Sequence, residues 1–544
     1  MKRKLCVGIL AAISLALAAC GGGSSNSAGE VSLDPTPIPD SPKPTGELSE
    51  LRWNLPLGEP QTFDPARVLA FSDQEAMSNM CEPLEQLMPD GSREPGLATS
   101  IEAPDPKTYV IDVREGVKFW DGSEMTAEDV AYSLNRILDP ANASFYSGLA
   151  ANVDTIKQTG PYEVTVSMKR PDVLYRESLV TPLGVITEKK YTEEQGDNYG
   201  TPQGGVMCTG PYKFVEWKPG SEVTLERNPD WWDADSREQL VDQVTFTFVT
   251  NPQTLASALS SGEIDGSFDI PPAAYTRLQS ASDGELLPGP STGVFALAAL
   301  HTDGTIGNTK IRQAVSKLID YDGYVDAQFN GLADPSRALM GPNSWAGAED
   351  AYRAAYEQLP EPEQDLDAAK KLVEESGIEN PVVRIATWSA VPEEAALAEQ
   401  IQSAGKQIGL EVTFDDMPIA QFATLFTSES ERDKYDLMVQ NTAADIPEAF
   451  EFYQSVAQPT GVNNLSGWSD PQVTKILNQA QAEPDADKRA RLTVEAQDTL
   501  VEELPWIPAV FPDFVAYLGS DVTGLQVSFP SVMYRSWVPD LGAP

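Results

Sequence analysis

The residue types that most often carry catalysis are sparse in this chain of 544 residues. Its one histidine, His301, excludes HExxH zinc sites and metal sites built from several histidines. The segment Gly289–Gly293 matches GxSxG with Ser291 as nucleophile, but no acidic residue lies between Ser291 and His301, as that triad order requires. We therefore expect a binding protein, not an enzyme, and keep a secreted serine hydrolase using Ser291 as the alternative from another class.

Nucleotide and metal motifs are also missing from the sequence. No GxxxxGK[ST] pattern occurs, so the chain does not itself bind and hydrolyse ATP through a P-loop. The run Asp233–Asp235 begins like a calcium loop but lacks the glycine and the terminal glutamate at the required offsets. We expect neither a metal nor a cofactor.

The region from Asp365 to Asp445 alternates helical and extended patterns. Amphipathic helices are predicted at 365–377 and 392–408, and short β-branched strands at 381–388, 410–414 and 435–440. This alternation indicates βαβ units with a parallel sheet and right-handed crossovers. In such sheets, ligands lie in the crevice beyond the carboxyl ends of the strands.

Four residues at these strand ends are candidate ligand-binding residues: Trp388, Asn441, Thr442 and Asp445. A half-buried aspartate gains most from a cationic partner through a charge-assisted hydrogen bond, although Asp445 could instead be the N-cap of a helix at 447–453. Trp388 could stack on a ligand or pack between lobes. The side chains of Asn441 and Thr442 could bond a ligand's backbone.

The first residues have the pattern of an export signal. Three basic residues precede an apolar run, Leu5–Ala19, that is too short to span a bilayer comfortably. The run ends in Leu17–Cys20, which resembles a bacterial lipobox and implies cleavage after residue 19 and lipidation of Cys20. An ordinary signal peptide with a chance cysteine is the alternative. Residues 21–50 are rich in Gly, Ser and Pro and are predicted to be a flexible tether.

Composition excludes some partners and sets the redox context. The net charge of −44 makes nucleic acid an unlikely partner. A chain this long is larger than a single hydrophobic core usually supports, so two or more lobes are expected.

Once Cys6 leaves with the signal and Cys20 is lipidated, Cys81 and Cys208 are left. In an exported protein these are most simply a disulfide, with two buried free thiols as the alternative.

The N-terminal half shows strands and helices in a less regular order. We predict a strand at 51–57, a helix at 72–87, and half-buried strands at 107–113 and 162–168. Thr126 begins a capping box that predicts a helix from residue 127 onward.

The segment Arg114–Asp139 (REGVKFWDGSEMTAEDVAYSLNRILD) is very similar to the signature of the family 5 extracellular solute-binding proteins. These are the dipeptide, oligopeptide and nickel-chelate receptors of ABC importers. Further blocks follow the family's order across about residues 50–540, among them TFDPA, CTGPYKFVEWKPGSEVTLERNPDWW, LSSGEID, KIRQAVSKLIDYD and LPWIPA. The ordered series indicates membership of this family.

The resemblance implies an α/β, two-lobed fold of the periplasmic-binding-protein type II, with an extra domain inserted in the first lobe. Domain I would comprise residues 51–80, 208–290 and 505–544, domain II residues 81–207, and domain III, the second lobe, residues 291–504. The hinge would then lie at the two crossings near 290 and 505. Cys81 and Cys208 would lie at the two junctions of the inserted domain, which supports their pairing.

By the same resemblance, the protein is expected to be a substrate-binding lipoprotein that delivers oligopeptides or dipeptides to an ABC permease and its ATPase subunits. Asp445 matches the family position that holds a peptide's α-ammonium group, and Phe71 would cover the ligand from the first lobe. Pro447-Glu448 departs from the family's Asp-Pro at this point. A metal chelate, an opine or an oligosaccharide is therefore the alternative ligand, and a sensing protein without a transporter is a further alternative. We expect a monomer on the extracytoplasmic face of the cell membrane, periplasmic if an outer membrane exists.

Overall fold

Three sheets of four or more strands form the framework of the computed structural model, which describes residues 33–544. The predicted signal peptide, Cys6 and the proposed lipidation site Cys20 lie outside the described residues. Within 33–544, no helix is long and apolar enough to cross a membrane. Strands and helices are numbered below in chain order.

The first sheet, sheet A, has seven strands in the order β12-β19-β11-β1-β10-β9-β8. Its strands are β1 (Leu51–Asn54), β8 (Tyr212–Lys218), β9 (Glu222–Arg227), β10 (Gln243–Thr247), β11 (Gly266–Ser267), β12 (Gly284–Gly289) and β19 (Phe514–Gly519). β1 runs parallel to β10 and β11. The helices of this part are α1 (Phe71–Met77), α5 (Pro252–Ser260), α6 (Tyr275–Leu278) and α18 (Ser531–Tyr534).

Sheet B is antiparallel throughout, with the order β4-β5-β7-β6. Its strands are β4 (Ala98–Asp105), β5 (Thr108–Val113), β6 (Val153–Gly160) and β7 (Glu163–Met168), and a small hairpin joins β2 (Glu85–Leu87) to β3 (Arg93–Pro95). The helices are α2 (Ala127–Leu138), α3 (Val173–Glu177) and α4 (Lys189–Gln195). Thr126 and Asp129 form the predicted capping box at the start of α2.

Sheet C has six strands in the order β14-β18-β13-β17-β15-β16. They are β13 (Gly293–Ala299), β14 (Ala333–Pro335), β15 (Val382–Trp388), β16 (Glu411–Met417), β17 (Leu437–Ala443) and β18 (Trp506–Pro512). The helices are α7 (Thr309–Ser316), α8 (Tyr321–Phe329), α9 (Glu349–Tyr356), α10 (Leu366–Ser376), α11 (Pro392–Ile408), α12 (Ile419–Phe422), α13 (Thr424–Thr427), α14 (Glu429–Arg432), α15 (Ala449–Ala457), α16 (Pro471–Gln481) and α17 (Ala486–Glu503).

The predicted βαβ region is confirmed. β15 lies between β16 and β17 and runs parallel to both, with α11 connecting β15 to β16. Asp365 and Gly377 cap α10 at its two ends, and Gly377 adopts the left-handed conformation that favours glycine. The strand ends therefore meet at one edge of sheet C, as a crevice requires.

The predicted helix at 72–87 is wrong in its second half. α1 ends at Met77, and residues 85–87 form strand β2 instead. Pro83 lacks the backbone N–H that a continuing helix would need, and Cys81 is held by a covalent bond to a distant segment. Apolar spacing alone did not reveal either constraint.

The chain crosses between sheets A and C twice. The first crossing, residues 290–292, joins β12 to β13 near its predicted position. The second was expected near residue 505, but β18 pairs with β13 and β14 of sheet C, so this crossing is at Asp513, before β19. We propose the three-domain division given above with this one change, which the strand membership of the sheets supports.

The predicted tether at 20–50 is wrong for its described part. The backbone N–H of Thr36 donates to Asn343 Oδ1 at 2.9 Å, and its hydroxyl donates to Asp513 Oδ1 at 3.0 Å. Further on, Gly46 pairs with Ala543 as an isolated bridge. A proline-rich extended segment leaves its backbone groups free to bond neighbouring structure, which composition alone does not show.

The disulfide predicted between Cys81 and Cys208 is present, with a Cα–Cα distance of 5.0 Å and a sequence separation of 127. Both residues are buried. The bond joins the first residue of the proposed domain II to the first residue after it. It therefore closes the neck of the inserted domain.

We expect the double variant Cys81→Ser/Cys208→Ser to be less stable by about 2–5 kcal/mol, because the cross-link restricts a long loop in the unfolded chain. Denaturant unfolding under non-reducing conditions measures the difference. Adding dithiothreitol to the parent is the matched control and should reproduce the variant's curve without changing the variant itself. Equal stabilities of parent and variant would contradict a structural role for this bond.

Candidate functional site

The two lobes contact each other at several places, one of which lies where the strands of sheet C end. Hydrogen bonds between the first lobe or its inserted domain and the second lobe include Tyr534 to Asp445 (3.0 Å), Arg170 to Gln481 (3.2 Å) and Asn330 to Thr276 (3.3 Å). The crevice predicted at the ends of β15 and β17 is thus covered by all three proposed domains. The candidate site consists of the polar side chains enclosed there.

Asp445 lies half-buried in the loop between β17 and α15. Its Oδ1 accepts the hydroxyl of Tyr534, and its own backbone N–H donates to Glu451 Oε2 at 3.1 Å. Burial raises the pKa of Asp445 to about 6, and the Tyr534 hydrogen bond opposes this rise. Within residues 33–544, no ion pair is formed between Asp445 and a lysine or arginine. The alternative reading of Asp445 as a helix N-cap is wrong, since Glu448 holds that position before α15.

Several buried polar atoms in the first lobe and its insertion lack a hydrogen bond of normal geometry among the described residues, and three of them lie on or beside α1: Ser72 Oγ, Gln74 Oε1 and the Tyr146 hydroxyl. Each of these residues is at most 2% exposed. The Tyr146 hydroxyl makes only weak hydrogen-bond contacts with Gln74 and Tyr534 and also interacts electrostatically with Asp445. A buried polar atom without a partner costs about 1–3 kcal/mol, so these atoms mark a place where a ligand can supply the missing partners.

The end of β15 is organised by Glu394, a residue that the sequence analysis missed. Its Oε2 accepts the backbone N–H of Trp388 at 2.8 Å, and the backbone of Asn441 also bonds the carboxyl group. Burial raises the pKa of Glu394 to about 8. The sequence feature that could have revealed Glu394 is the pair Glu393-Glu394 shortly after a strand end. Acidic residues in the first turn of a helix usually only stabilise the helix, so the pair did not stand out.

The other predicted ligand residues lie near the crevice, and their roles stay predictions. The half-buried Trp388 ring stacks on Phe422 with centroids 6.4 Å apart, and Asn441 is exposed on β17. Thr442 is half-buried in the same strand. Phe71 begins α1 beside Ser72 and packs on Phe529 of its own lobe, with ring centroids 5.0 Å apart.

A cavity of about 830 Å³ adjoins the Asp445 loop. Residues 88–93 of the inserted domain, Pro447 and Glu448 of the second lobe, and residues 528–531 before and within α18 line it. The N-terminal segment 35–38 forms another wall. This volume is typical of small-ligand sites.

Ion pairs stiffen the walls of this cavity. Glu448 pairs with Arg489, and Glu177 pairs with Arg93, whose pKa burial lowers to about 10. At the point where the family has Asp-Pro, this chain has Pro447-Glu448. The Glu448 carboxylate binds a cation of the protein itself, Arg489.

The remaining candidates for chemistry lie apart from one another. Ser291 and His301 stand at opposite ends of β13, a strand of seven residues, so about 20 Å separates them and the hydrolase alternative is wrong. His301 Nε2 instead lies 3.3 Å from Asp436 Oδ1. Within the described residues, no group of three or more His, Cys, Asp and Glu side chains could hold a metal ion.

Comparisons with known proteins agree with this architecture. Residues 93–464, more than half of the chain, match the family model of bacterial extracellular solute-binding proteins, family 5 middle. Oligopeptide-binding protein OppA of Bacillus subtilis (strain 168) is 26% identical over 546 residues, covering 94% of this chain and 94% of that relative.

Solved structures show the same fold. DppA of Helicobacter pylori in complex with peptide STSA superposes with a TM-score of 0.77 at 21% identity, covering 92% of this chain and 98% of DppA. NikA of Staphylococcus aureus in complex with Ni(L-His)2 gives 0.74 at 18% identity, covering 90% and 99%. The expected two-lobed binding-protein fold is confirmed, and the matched family is one of binding proteins, not enzymes. The chain belongs to the family 5 bacterial extracellular solute-binding proteins.

Proposed function

We propose that this protein captures short peptides in its interlobe crevice as the substrate-binding component of an ABC importer. The observation that carries the proposal is Asp445, a desolvated carboxyl without a cationic partner among residues 33–544 that neighbours the buried Tyr146 hydroxyl of the inserted domain and accepts the Tyr534 hydroxyl of the first lobe. A charge-assisted bond from a ligand cation would offset the cost of burying it.

A peptide's α-ammonium group fits the chemistry of this place. It has three N–H donors and no acceptor. Asp445, Gln74 Oε1 and the hydroxyl oxygen of Tyr146 offer three acceptors, one from each proposed domain. A primary amine can therefore donate to one buried acceptor from each domain.

Ligand binding and closure would be coupled through the same residues. Tyr534 of the first lobe already donates across the crevice to Asp445 of the second. An amine that contacts residues of both lobes favours the closed state over the open one by its extra contacts there. The closed protein would then dock on the permease, with ATP hydrolysed on separate subunits.

The relatives support peptides as the ligand class. OppA and DppA are described as binding an oligopeptide or a peptide, whereas NikA was solved with a nickel–histidine chelate. Lipid attachment through Cys20, delivery to a permease and a location on the outer face of the cell membrane belong to the proposal.

Native mass spectrometry tests the ligand class directly. The body from residue 33 onward should release a ladder of short-peptide masses on denaturation. A single defined non-peptide mass would contradict the proposal and favour a chelate or an opine.

We expect Asp445→Asn to weaken binding of trialanine by about 100-fold or more, because a charge-assisted bond to a buried carboxylate is lost. Isothermal titration calorimetry with trialanine measures this, and N-acetyl-trialanine should bind the parent as weakly as trialanine binds the variant. Asp433→Asn, an exposed carboxylate of the same lobe, is the matched control. Unchanged affinity in Asp445→Asn would refute the amine role.

The pKa of Asp445 near 6 gives two opposite pH effects. Peptide affinity should fall about tenfold between pH 7 and pH 5, because protonation removes the charge that the amine needs. The folded ligand-free protein binds this proton more tightly than the unfolded chain does, so the group's contribution to stability is present at low pH and is lost as pH rises through about 6.

Calorimetric titrations and melting curves of the ligand-free protein across this pH range measure both effects. Asp445→Asn serves as the control, since it should flatten the pH dependence of affinity. An affinity that rises towards pH 5 in the parent would contradict the assignment.

A further inference from the structure

Asp269 lies at the crevice edge of the first lobe, away from Asp445. It follows β11, which runs parallel to β1 with Trp53 opposite Gly266 and Asn54 opposite Ser267. The carboxyl ends of these strands face the crevice. Asp269 has a φ of +48°, in the left-handed region that a residue with a side chain seldom adopts. The backbone therefore holds this carboxylate in place at an energetic cost.

Two further carboxylates approach Asp269, one from each lobe. Glu75 on α1 interacts with it electrostatically, and so does Glu393 in the first turn of α11 in the second lobe. Tyr275 neighbours both Asp269 and Glu393. The three carboxylates thus include groups from both lobes.

None of these carboxylates has a protein cation beside it. Across the described part of the chain, neither a lysine, an arginine nor His301 forms an ion pair with any of the three. Glu75 Oε1 accepts only the indole N–H of Trp53, at 2.8 Å. Burial raises the pKa of Asp269 to about 6 and also raises the pKa values of Glu75 and Glu393.

An unpartnered side chain lies on the same helix as Glu75. Ser72 lies three residues before Glu75 and therefore on the same face of α1. It is 2% exposed, and its Oγ has no hydrogen-bond partner among residues 33–544. The three carboxylates are not grouped closely enough to hold a metal ion. An organic cation with several N–H donors would satisfy both the hydroxyl and the carboxylates.

We infer that Asp269, Glu75 and Glu393 form a second cation subsite of the crevice and that the protein selects peptides with a lysine or arginine among their first residues. This inference rests on the proposed function, because Asp445 would hold the α-ammonium group. Gln74 and Glu75 are consecutive residues of α1, and Gln74 neighbours the Asp445 group while Glu75 neighbours Asp269. The two subsites therefore adjoin the same helix.

The test compares Lys-Ala-Ala with norleucine-Ala-Ala, which keeps the aliphatic stem but lacks the charge. The parent should bind the lysine peptide at least tenfold more tightly by calorimetry. In Asp269→Asn/Glu393→Gln the ratio of the two affinities should fall towards one. Equal affinities in the parent, or an unchanged ratio in the variant, would overturn the inference.

Two controls keep this result separate from failure of the peptide proposal. Asp445→Asn should weaken both peptides alike and leave their ratio above tenfold. If the parent binds neither peptide, the peptide proposal fails, and cadaverine then probes the subsite alone. Binding of cadaverine that is lost in Asp269→Asn/Glu393→Gln would support a cation subsite, and no binding would refute it.

Folding of the variants is checked independently. Glu393→Gln alone changes only the second lobe and should give a partial fall in the affinity ratio. Because neutral amides remove uncompensated buried charge, the melting temperature of each variant at pH 7.5 should equal or exceed that of the parent. A folded variant with the parent's preference for lysine would overturn the assignment.

Discussion

Burying carboxylates without counter-charges is the constraint on which the crevice depends. Asp445, Asp269 and Glu393 lose hydration where the lobes meet, and burial raises the pKa of each. Among the other buried acids of the described chain, some have a cation beside them, as Glu448 has Arg489, and some are held by uncharged donors, as Glu82 is by Thr209, Trp231 and Trp232. For the acids at the lobe interface, we propose that charge compensation by a ligand is coupled to closure.

The framework around the crevice shows why closure can be selective. β17 leads directly into the Asp445 loop, and α11 begins with Glu393 and Glu394 just after β15. Side chains on these rigid elements do not move independently of their lobe. A ligand therefore has to match groups whose spacing is set by the sheets, so that only the relative position of the lobes remains adjustable.

Sequence reasoning succeeded where local pattern determines structure. The helices and strands from Asp365 to Asp445 were predicted because apolar spacing and glycine caps are local signals. Asp445 was proposed because strand ends of parallel sheets predict ligand positions, and its role as a ligand residue stays a prediction. The disulfide followed from export and from elimination of the other cysteines.

The failures have a common physical origin in distant contacts. Pro83 and the Cys81 bond ended a helix that apolar spacing would continue. Thr36 is held by Asn343 and Asp513, which are remote in sequence, so a segment with the composition of a linker lies on the body. Asp269 and Glu75 are ordinary acidic residues in the sequence, and only the fold reveals that they lack cations.

The neck of the inserted domain has a consequence for how the protein can be altered. Cys81 and Cys208 have Cα atoms 5.0 Å apart, so the whole segment between them enters and leaves the first lobe through one narrow opening. A one- or two-residue turn spans such a gap. A chain in which a short turn replaces the proposed inserted domain would therefore close the cut without stretching the first lobe, but it would expose the apolar core that the two domains share and would lose the crevice wall that carries Tyr146.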